Sequence, residues 1–272
     1  MNRLVLRAGS VADDIGYVAL ADLSQILSQK EDLSYRVIGG HMVTALVARW
    51  GLGAELYRET GDTDLGVPPI VVKDRSLIER LRGVGYEPIA GNRFARPVID
   101  IPITLTAPEE STPQAMIDVL VPAYTSRPRQ DRRVTDQLVT TEVLGLPTAL
   151  MRPPVRLRLE LHRLNGTRLS VEIAFPDEVA ALVLKGFACR VRNQGTDIID
   201  VWRCLEVGLA AGVSPADFTE GAPAEAAAIV RDLFRRRDGR GMTTLIGEQR
   251  LAPGAADARF TRIRALIDRI LG

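Results

Sequence analysis

Cysteine and histidine are scarce in this chain of 272 residues, and their scarcity excludes several kinds of site. Cys189 and Cys204 lie in predicted helices, without the spacing of a zinc site or a disulfide framework. We therefore expect both to be small core or interface residues in a reducing compartment. His41 and His162 have no patterned nucleophile or acid beside them, so neither a histidine-rich zinc site nor a hydrolytic triad is expected.

Aromatic residues and long apolar runs are also scarce. Aromatic residues make up 5% of the chain, which leaves little from which to build a stacking platform for single-stranded nucleic acid. No apolar run approaches the roughly 20 residues of a membrane span. The N-terminal residues are not followed by the apolar segment and cleavage site of a secretory signal. We expect a cytoplasmic protein with no membrane partner.

Lysine is scarce as well, although the net charge is +1. Of the 35 basic residues, all but Lys30, Lys73 and Lys185 are arginines. The arginines cluster in three stretches, 127–133, 152–163 and 235–240. Such clusters either bind a phosphate backbone or form solvated surface, and the sequence leaves both interpretations open.

Hydrophobic residues make up 46% of the chain, enough for one large or two small cores. Periodicity predicts mixed helices and strands first and helices afterwards. The predicted elements are helix 11–30, strand 35–38, helix 41–50, strand 62–67, a short extension 70–73, helix 75–83, a long-looped hairpin of 94–105 with 116–121, a hairpin of 156–161 with 168–174 around Asn165-Gly166, a helix begun by Pro176 and Asp177, a helix capped by Thr196, and helices 205–212, 223–236 and 257–271. This order predicts an α/β (α+β) fold, with a catalytic lobe over 1–175, a helical lobe over 176–272 and a cleft between them.

The most informative stretch is Gly61-Asp62-Thr63-Asp64. On a strand, residues two apart point to the same face, so Asp62 and Asp64 would direct two carboxylates at one place. Two like charges that close together favour a cation between them. Mg²⁺ prefers one or two carboxylates together with substrate phosphates, which makes the pair a candidate half of a metal–phosphate site. A solvated turn is the alternative interpretation.

The context of the two aspartates favours a nucleotide site. The apolar run 35–38 leads into Gly39-Gly40, and the amphipathic stretch 42–50 follows at helical spacing. A glycine pair between a strand and a helix lets backbone amides approach a phosphate at the start of the helix.

These residues resemble the nucleotidyltransferase superfamily, and within it the AbiEii/MenT-like branch of toxins from type IV-style toxin–antitoxin pairs. The first motif is Gly39-Gly40 followed about twenty residues later by Arg58-x-Thr60-x-Asp62-x-Asp64. The second motif is Lys185, Arg190 and Asp197-x-x-Asp200, which is similar to the branch's Lys…Arg…Asp-x-x-Asp signature. The resemblance extends from about residue 35 to about residue 210.

The resemblance implies a nucleotidyltransferase-like fold and transfer of NMP from an NTP to an RNA 3′ end. It favours tRNA as the acceptor, because an extended tRNA end could not be aminoacylated and growth would stop. It also implies a cognate antitoxin protein as partner, and two Mg²⁺ ions as cofactors, with Mn²⁺ as an alternative.

The resemblance also assigns roles to individual residues. Asp62 and Asp64 would be catalytic metal ligands, with Lys185 on the triphosphate and Asp197 and Asp200 orienting it or the nucleotide. The expected nucleotide-binding residues are Gly39, Gly40, Arg58, Thr60 and Arg190. For Lys185 the alternative is a lysine that extends from an apolar face to solvent. For Arg58 the favoured role is to brace the loop that leads to Asp62.

The third metal ligand has two candidates, because Asp118 and Asp100 are each a lone charge within an apolar strand. The run from Ile117 to Pro122 resembles the family's corresponding strand and favours Asp118. Pro102 makes the Asp100 strand a candidate edge.

Two rival functions remain open. One is nucleotidyl transfer to a small molecule, of the antibiotic-modifying kind. The other is a fold that binds nucleotide, RNA or a protein partner without turnover.

Overall fold

The computed structural model describes residues 3–28, 34–73, 76–102, 112–135, 138–192 and 194–272. The end of the first predicted helix, 29–30, and the predicted loop 106–111 lie outside these ranges. The chain forms two compact units. The sheet unit contains Met1–Thr44 and Tyr57–Pro176, and the helical unit contains Ala45–Leu56 and Asp177–Gly272.

The larger sheet of the sheet unit has β6 near its middle. Its strands are β2 (Arg36–Ile38), β3 (Asp62–Gly66), β4 (Glu87–Ala90), β5 (Arg93–Pro97), β6 (Gln114–Pro122), β7 (Arg132–Thr135) and β8 (Leu138–Val143). The strand order is β2-β3-β6-β5-β4, and β8 pairs with both β6 and β7. Strand β6 runs parallel to β3 and β8 and antiparallel to β5. It is buried from Ile117 to Pro122, and every residue of this stretch except Asp118 is apolar. Such a run is typical of a strand covered on both faces.

A smaller sheet has the order β1-β9-β10, where β1 is Leu4–Arg7, β9 is Val155–His162 and β10 is Arg168–Phe175. Strands β9 and β10 form the antiparallel hairpin predicted around Asn165-Gly166. Gly166 has φ +83°, a conformation that glycine adopts without a steric penalty. The hairpin predicted from 94–105 and 116–121 is present as the antiparallel pair β5 and β6. Its first strand ends at Pro97 rather than at 105, and residues 103–105 lie outside the described ranges.

The helices of the sheet unit cover its apolar strands. They are α1 (Val11–Ser28), the first turns of α2 (Gly39–Arg49), α3 (Pro69–Lys73), α4 (Ser76–Gly83) and α5 (Leu146–Met151). Leu20 and Leu23 of α1 are almost fully buried, and burial of each such side chain contributes about 1.5–3 kcal/mol to folding. Residues 70–73, predicted as a short extension, lie in the separate helix α3.

The helical unit contains α6 (Glu178–Val191), α7 (Gly195–Ala210), α8 (Gly221–Leu233), α9 (Arg240–Gln249) and α10 (Pro253–Ile270). Asp177 is the N-cap of α6, as predicted, and its carboxylate accepts a hydrogen bond from the backbone N–H of Ala180 at 2.9 Å. The prediction that Thr196 caps the next helix is wrong, since α7 begins at Gly195 with Gln194 as its N-cap. The predicted helix 205–212 is the second half of α7, because apolar residues continue at helical spacing through Val201 and Leu205.

The predicted fold class, a mixed-sheet region followed by helices, is confirmed. None of the helices within the described ranges is long and apolar enough to cross a membrane.

Candidate active site

Three carboxylates lie on one face of the two neighbouring strands β3 and β6. Asp62 and Asp64 are two apart on β3 and therefore share a face. Asp64 is the register partner of Asp118 on the parallel strand β6. Partners in register project from the same face, so Asp118 lies beside the pair. We call Asp62, Asp64 and Asp118 the carboxylate row.

Arg93 is a site residue that the motifs did not indicate. It lies directly opposite Asp118 in the antiparallel pairing of β5 with β6. Its Nε donates to Asp118 Oδ1 at 2.8 Å and its Nη2 donates to Asp118 Oδ2 at 2.6 Å, a bidentate ion pair. The same Nη2 lies 3.4 Å from Asp62 Oδ2. The hydrogen bonds to Asp118, together with the charges of all three carboxylates, raise the pKa of Arg93.

The members of the carboxylate row differ in exposure. The side chain of Asp62 is 48% exposed, whereas that of Asp118 is 12% exposed. Asp62 and Asp64 are therefore the more accessible carboxylates, and Asp118 is shielded beneath the Arg93 guanidinium.

Gly39 leaves room for the carboxylate of Asp64. It opens α2 with φ +70°, and it follows Ile38, the register partner of Asp64 on β2. A Cβ at Gly39 would lie 2.0 Å from Asp64 Oδ2, closer than any real contact. The first residue of a helix is also where backbone amides favour negative charge. Gly39 is thus required both by its backbone conformation and by the approach of Asp64.

Gly40 leaves room for the loop that leads into β3. A Cβ there would lie 2.5 Å from both Arg58 Nη2 and Thr60 Oγ1. Thr60 Oγ1 is buried and has no hydrogen-bond partner among the residues that the structure describes. The Arg58 guanidinium therefore lies against the glycine pair. This position is compatible with the predicted role of Arg58 in bracing the loop that leads to Asp62.

Asp13, another residue that the motifs did not indicate, ties this loop to α1. Its Oδ1 accepts from the backbone N–H of Thr60 at 3.1 Å. Its Oδ2 accepts from the backbone N–H of Gly9 at 3.0 Å and from the hydroxyl of Tyr57. Burial and the hydrogen bond to Asp13 raise the pKa of Tyr57 to about 12. The sequence shows Asp13 only as an acid in the first turn of a helix, a common feature without functional meaning.

Asp100, the other candidate for a third ligand, is engaged elsewhere. Both of its carboxylate oxygens accept from the buried Arg163, which also pairs with Asp14 at 2.7 Å. The structure therefore brings Asp118, and not Asp100, beside Asp62 and Asp64.

The second motif forms a buried ion cluster within the helical unit. Lys185 Nζ lies 2.7 Å from Asp200 Oδ2 and 3.2 Å from Asp197 Oδ1. Arg203 Nη1 donates to Asp200 Oδ1 at 2.8 Å, and Arg192 Nη2 donates to Asp197 Oδ1 at 3.1 Å. Lys185 is 4% exposed and Arg203 is 1% exposed. Lys185 is therefore not extended to solvent, and the two aspartates of the motif hold it in place.

Arg190 lies away from this cluster, on a groove of the helical unit. Its guanidinium pairs with Glu225 and lies 4.9 Å from the ring centre of Phe187. The groove has a volume of about 590 Å³ and is also lined by Arg235, Arg236 and Arg240. The participation of Arg190 in nucleotide binding stays a prediction.

Both cysteines are buried core residues of α6 and α7. Burial raises the pKa of the Cys189 thiol and of the Cys204 thiol to about 12. A thiol that stays protonated is a poor nucleophile.

Asp62 and Asp64 fit a divalent ion whose remaining coordination positions are filled by a substrate. Within the described ranges, no three histidine, cysteine or acidic residues converge as a full ligand set. Asp62 and Asp64 supply two carboxylates, which is what Mg²⁺ needs when nucleotide phosphates and water fill the remaining positions. The space that Gly39 leaves for Asp64 shows that this carboxylate is held at the start of α2.

Comparison with known proteins finds similar solved structures but no matching family model. No protein-family model matches the chain, and no curated protein sequence matches it. Among solved structures, it is similar to an antigenic nucleotidyltransferase-like protein from Paracoccidioides brasiliensis, with 17% identity, a TM-score of 0.46 and coverage of 82% of this chain and 90% of that one. It is also similar to the nucleotidyltransferase toxin MenT4 from Mycobacterium tuberculosis, with 16% identity, a TM-score of 0.39 and coverage of 93% and 85%. We base the function on the carboxylate row, Arg93 and the glycine pair.

Proposed function

We propose that this protein is a nucleotidyltransferase that transfers NMP from an NTP to the 3′ end of an RNA. The observation that carries the proposal is the convergence of Asp62 and Asp64 on β3 with Gly39 at the start of α2. Two partly exposed carboxylates beside a helix start suit a metal-bound triphosphate better than a structural ion pair.

The reaction would be an in-line displacement at the α-phosphorus. The acceptor hydroxyl oxygen forms a new bond to phosphorus, the bond to the β-phosphate bridging oxygen breaks, and pyrophosphate leaves with that electron pair. The hydroxyl proton passes to solvent or to a nearby carboxylate. A divalent ion held by Asp62 and Asp64 would supply charge neutralisation of the triphosphate and a lowered pKa for a bound hydroxyl.

The other residues of the sheet unit would fix the position of the reactants. Asp13 and Gly40 fasten the loop 57–60, so that Asp62 enters β3 in one orientation. A displacement of about 1 Å in such a site can cost about a hundredfold in rate. The charge of Arg93 lies 3.4 Å from Asp62 and keeps that face of the sheet from becoming excessively negative.

The choice of RNA as acceptor rests on charge. The helical-unit groove is lined by Arg190, Arg235, Arg236 and Arg240. The first three pair with the exposed acids Glu225, Asp232 and Asp238. Exposed ion pairs of this kind are weak, so the phosphates of a polyanion can replace the acids. Following the resemblance, we propose a tRNA 3′ end as the acceptor, growth inhibition as the consequence and an antitoxin protein as the partner.

The roles that the resemblance gives Lys185, Asp197 and Asp200 stay predictions. Within the helical unit, the ammonium of Lys185 on α6 pairs with Asp197 and Asp200 on α7 at 3.2 and 2.7 Å, and we propose that this pairing first holds the two helices together.

Label transfer tests the proposal. The protein is incubated with total RNA, Mg²⁺ and each α-labelled NTP in turn, with γ-labelled NTP as a control. We expect label from one or more α-labelled nucleotides on a tRNA-sized band, and none from the γ-labelled nucleotide. Label on a small hydroxylated acceptor but on no RNA would favour the antibiotic-modifying class. Nucleotide or RNA binding without any transfer would contradict an enzymatic function.

A further inference from the structure

Both carboxylate oxygens of Asp118 already have a cationic partner. Arg93 Nε and Nη2 take Oδ1 and Oδ2 at 2.8 and 2.6 Å. The side-on geometry uses the two donors of the guanidinium that match a carboxylate best. Little of Asp118 is left with which to bind a metal ion.

The pairing is built into the strand register. Arg93 and Asp118 are opposite each other on β5 and β6, and Asp118 and Asp64 are opposite each other on β6 and β3. A row across three hydrogen-bonded strands keeps the backbones of Arg93 and Asp118 opposite each other, so the guanidinium stays within reach of Asp118. Arg93 Nη2 also lies 3.4 Å from Asp62 Oδ2, so one fixed cation serves two members of the carboxylate row.

From this geometry we propose that Arg93 takes the place of one of the two ions of a two-metal site. Asp62 and Asp64 then hold a single divalent ion, and Asp118 is a positioning residue that anchors Arg93 rather than a ligand. The proposal rests on the proposed function for the metal site at Asp62 and Asp64, and it replaces the two-ion expectation drawn from the resemblance.

The test is the state of bound Mn²⁺ in the purified full chain, with a non-hydrolysable NTP analogue present. Two Mn²⁺ ions about 4 Å apart are spin-coupled, and a lone ion is not, so electron paramagnetic resonance distinguishes the two cases. Equilibrium dialysis, corrected for Mn²⁺ bound to free analogue, counts the ions. We expect one uncoupled ion per wild-type chain, the same for Asp118→Asn, and a second, coupled ion for Arg93→Ala, in which Asp118 is released.

Arg96→Ala is the matched control, since Arg96 is on the same strand but pairs with Asp22 at 2.7 Å. It should keep one uncoupled ion. A gain of an ion in Arg93→Ala cannot result from misfolding, because an unfolded site loses metal. A coupled pair in the wild-type chain that Asp118→Asn reduces to one ion would overturn the proposal and leave the proposed function intact. If the wild-type chain binds no Mn²⁺ in a way that depends on Asp62, both the single-ion proposal and the proposed function are overturned.

Discussion

The carboxylate row and the buried ion cluster are both sets of opposed charges, but they differ in how accessible those charges are. In the carboxylate row, Arg93 contacts Asp118 and Asp62, and the Asp62 side chain is 48% exposed. In the buried ion cluster, three cations contact Asp197 and Asp200, and these two aspartates are almost fully buried. A site with a half-exposed carboxylate can recruit a cation and a substrate. A site whose charges are met in the interior serves first to hold its helices together.

The largest effect on stability is expected from removing a charge in the buried ion cluster. Asp200→Asn leaves Lys185 and Arg203 as buried cations with one fewer anion. Breaking a buried ion pair on one side costs about 3–5 kcal/mol, so we expect a large drop in the free energy of unfolding, measured by urea denaturation. Asp238→Asn is the exposed control, because Asp238 pairs with Arg236 on the surface and its loss should leave the midpoint unchanged. Equal effects of the two substitutions would remove the distinction between the clusters.

The next effect is a pH dependence inside the sheet unit. His41 is fully buried, and burial lowers its pKa from the ordinary 6.5 to about 4, with Arg58 acting in the same direction and Asp13 opposing. As the pH falls from about 6.5 to about 4, the unfolded chain takes up a proton that the folded chain does not. The free energy of unfolding should therefore decrease across that window, by about 3 kcal/mol at most, and be restored as the pH rises.

Denaturation curves between about pH 4.5 and pH 7 test this dependence. His41→Gln removes the titrating group and should flatten the slope. A slope that is unchanged in His41→Gln would assign the pH dependence to other groups.

A smaller effect on stability, but a specific one on activity, is expected at Gly39. Gly39→Ala introduces a Cβ at φ +70°, and the new atom must displace the Asp64 carboxylate. We expect a loss of about 1–2 kcal/mol from the backbone conformation and a loss of about a hundredfold in transfer rate from the displaced ligand. Gly51→Ala is the matched control, because Gly51 has φ +61° with nothing within 4 Å of its Cβ position. It should lose similar stability and keep its activity. A Gly51→Ala variant as inactive as Gly39→Ala would contradict the role of Gly39 at the site.

The sequence located the carboxylates because the chemistry depends on local spacing. Asp62 and Asp64 share a face whenever the segment is extended, and Gly39 precedes a helix whose periodicity is visible in the sequence. Asp118 and Asp100 were both lone charges in apolar runs, and the resemblance of the run from Ile117 to Pro122 to the family's strand favoured Asp118. These inferences require no knowledge of which strands are neighbours.

Arg93 could not be found in the same way. It lies just before the apolar run 94–105, and only the register of β5 against β6 places it opposite Asp118. The long loop between β5 and β6 does not determine how the two strands pair. If the pairing were shifted by one residue, Arg93 would lie on the opposite face of the sheet from Asp118. The sequence offered one weak indication of this pair: Arg93 lies just before one predicted strand of the hairpin, and Asp118 is a lone carboxylate in the other.

The missed elements have a similar explanation. Strand β1, Leu4–Arg7, has only four residues, and it is stabilised by pairing with β9 about 150 residues away. Helix α9 has few apolar residues, yet Met242 and Leu245 are fully buried against other helices of its unit. Tertiary packing, rather than local propensity, decides such segments.

The central claim, that Asp62 is a functional carboxylate rather than a structural one, is tested most directly by Asp62→Asn. The variant is assayed by label transfer and thermal unfolding together, with Asp100→Asn as the control because Asp100 pairs with Arg163 instead. We predict that Asp62→Asn keeps its stability to within about 1 kcal/mol, since its carboxylate is half exposed, and loses about a thousandfold or more in transfer rate. Transfer by Asp62→Asn at the rate of the Asp100→Asn control would contradict the claim.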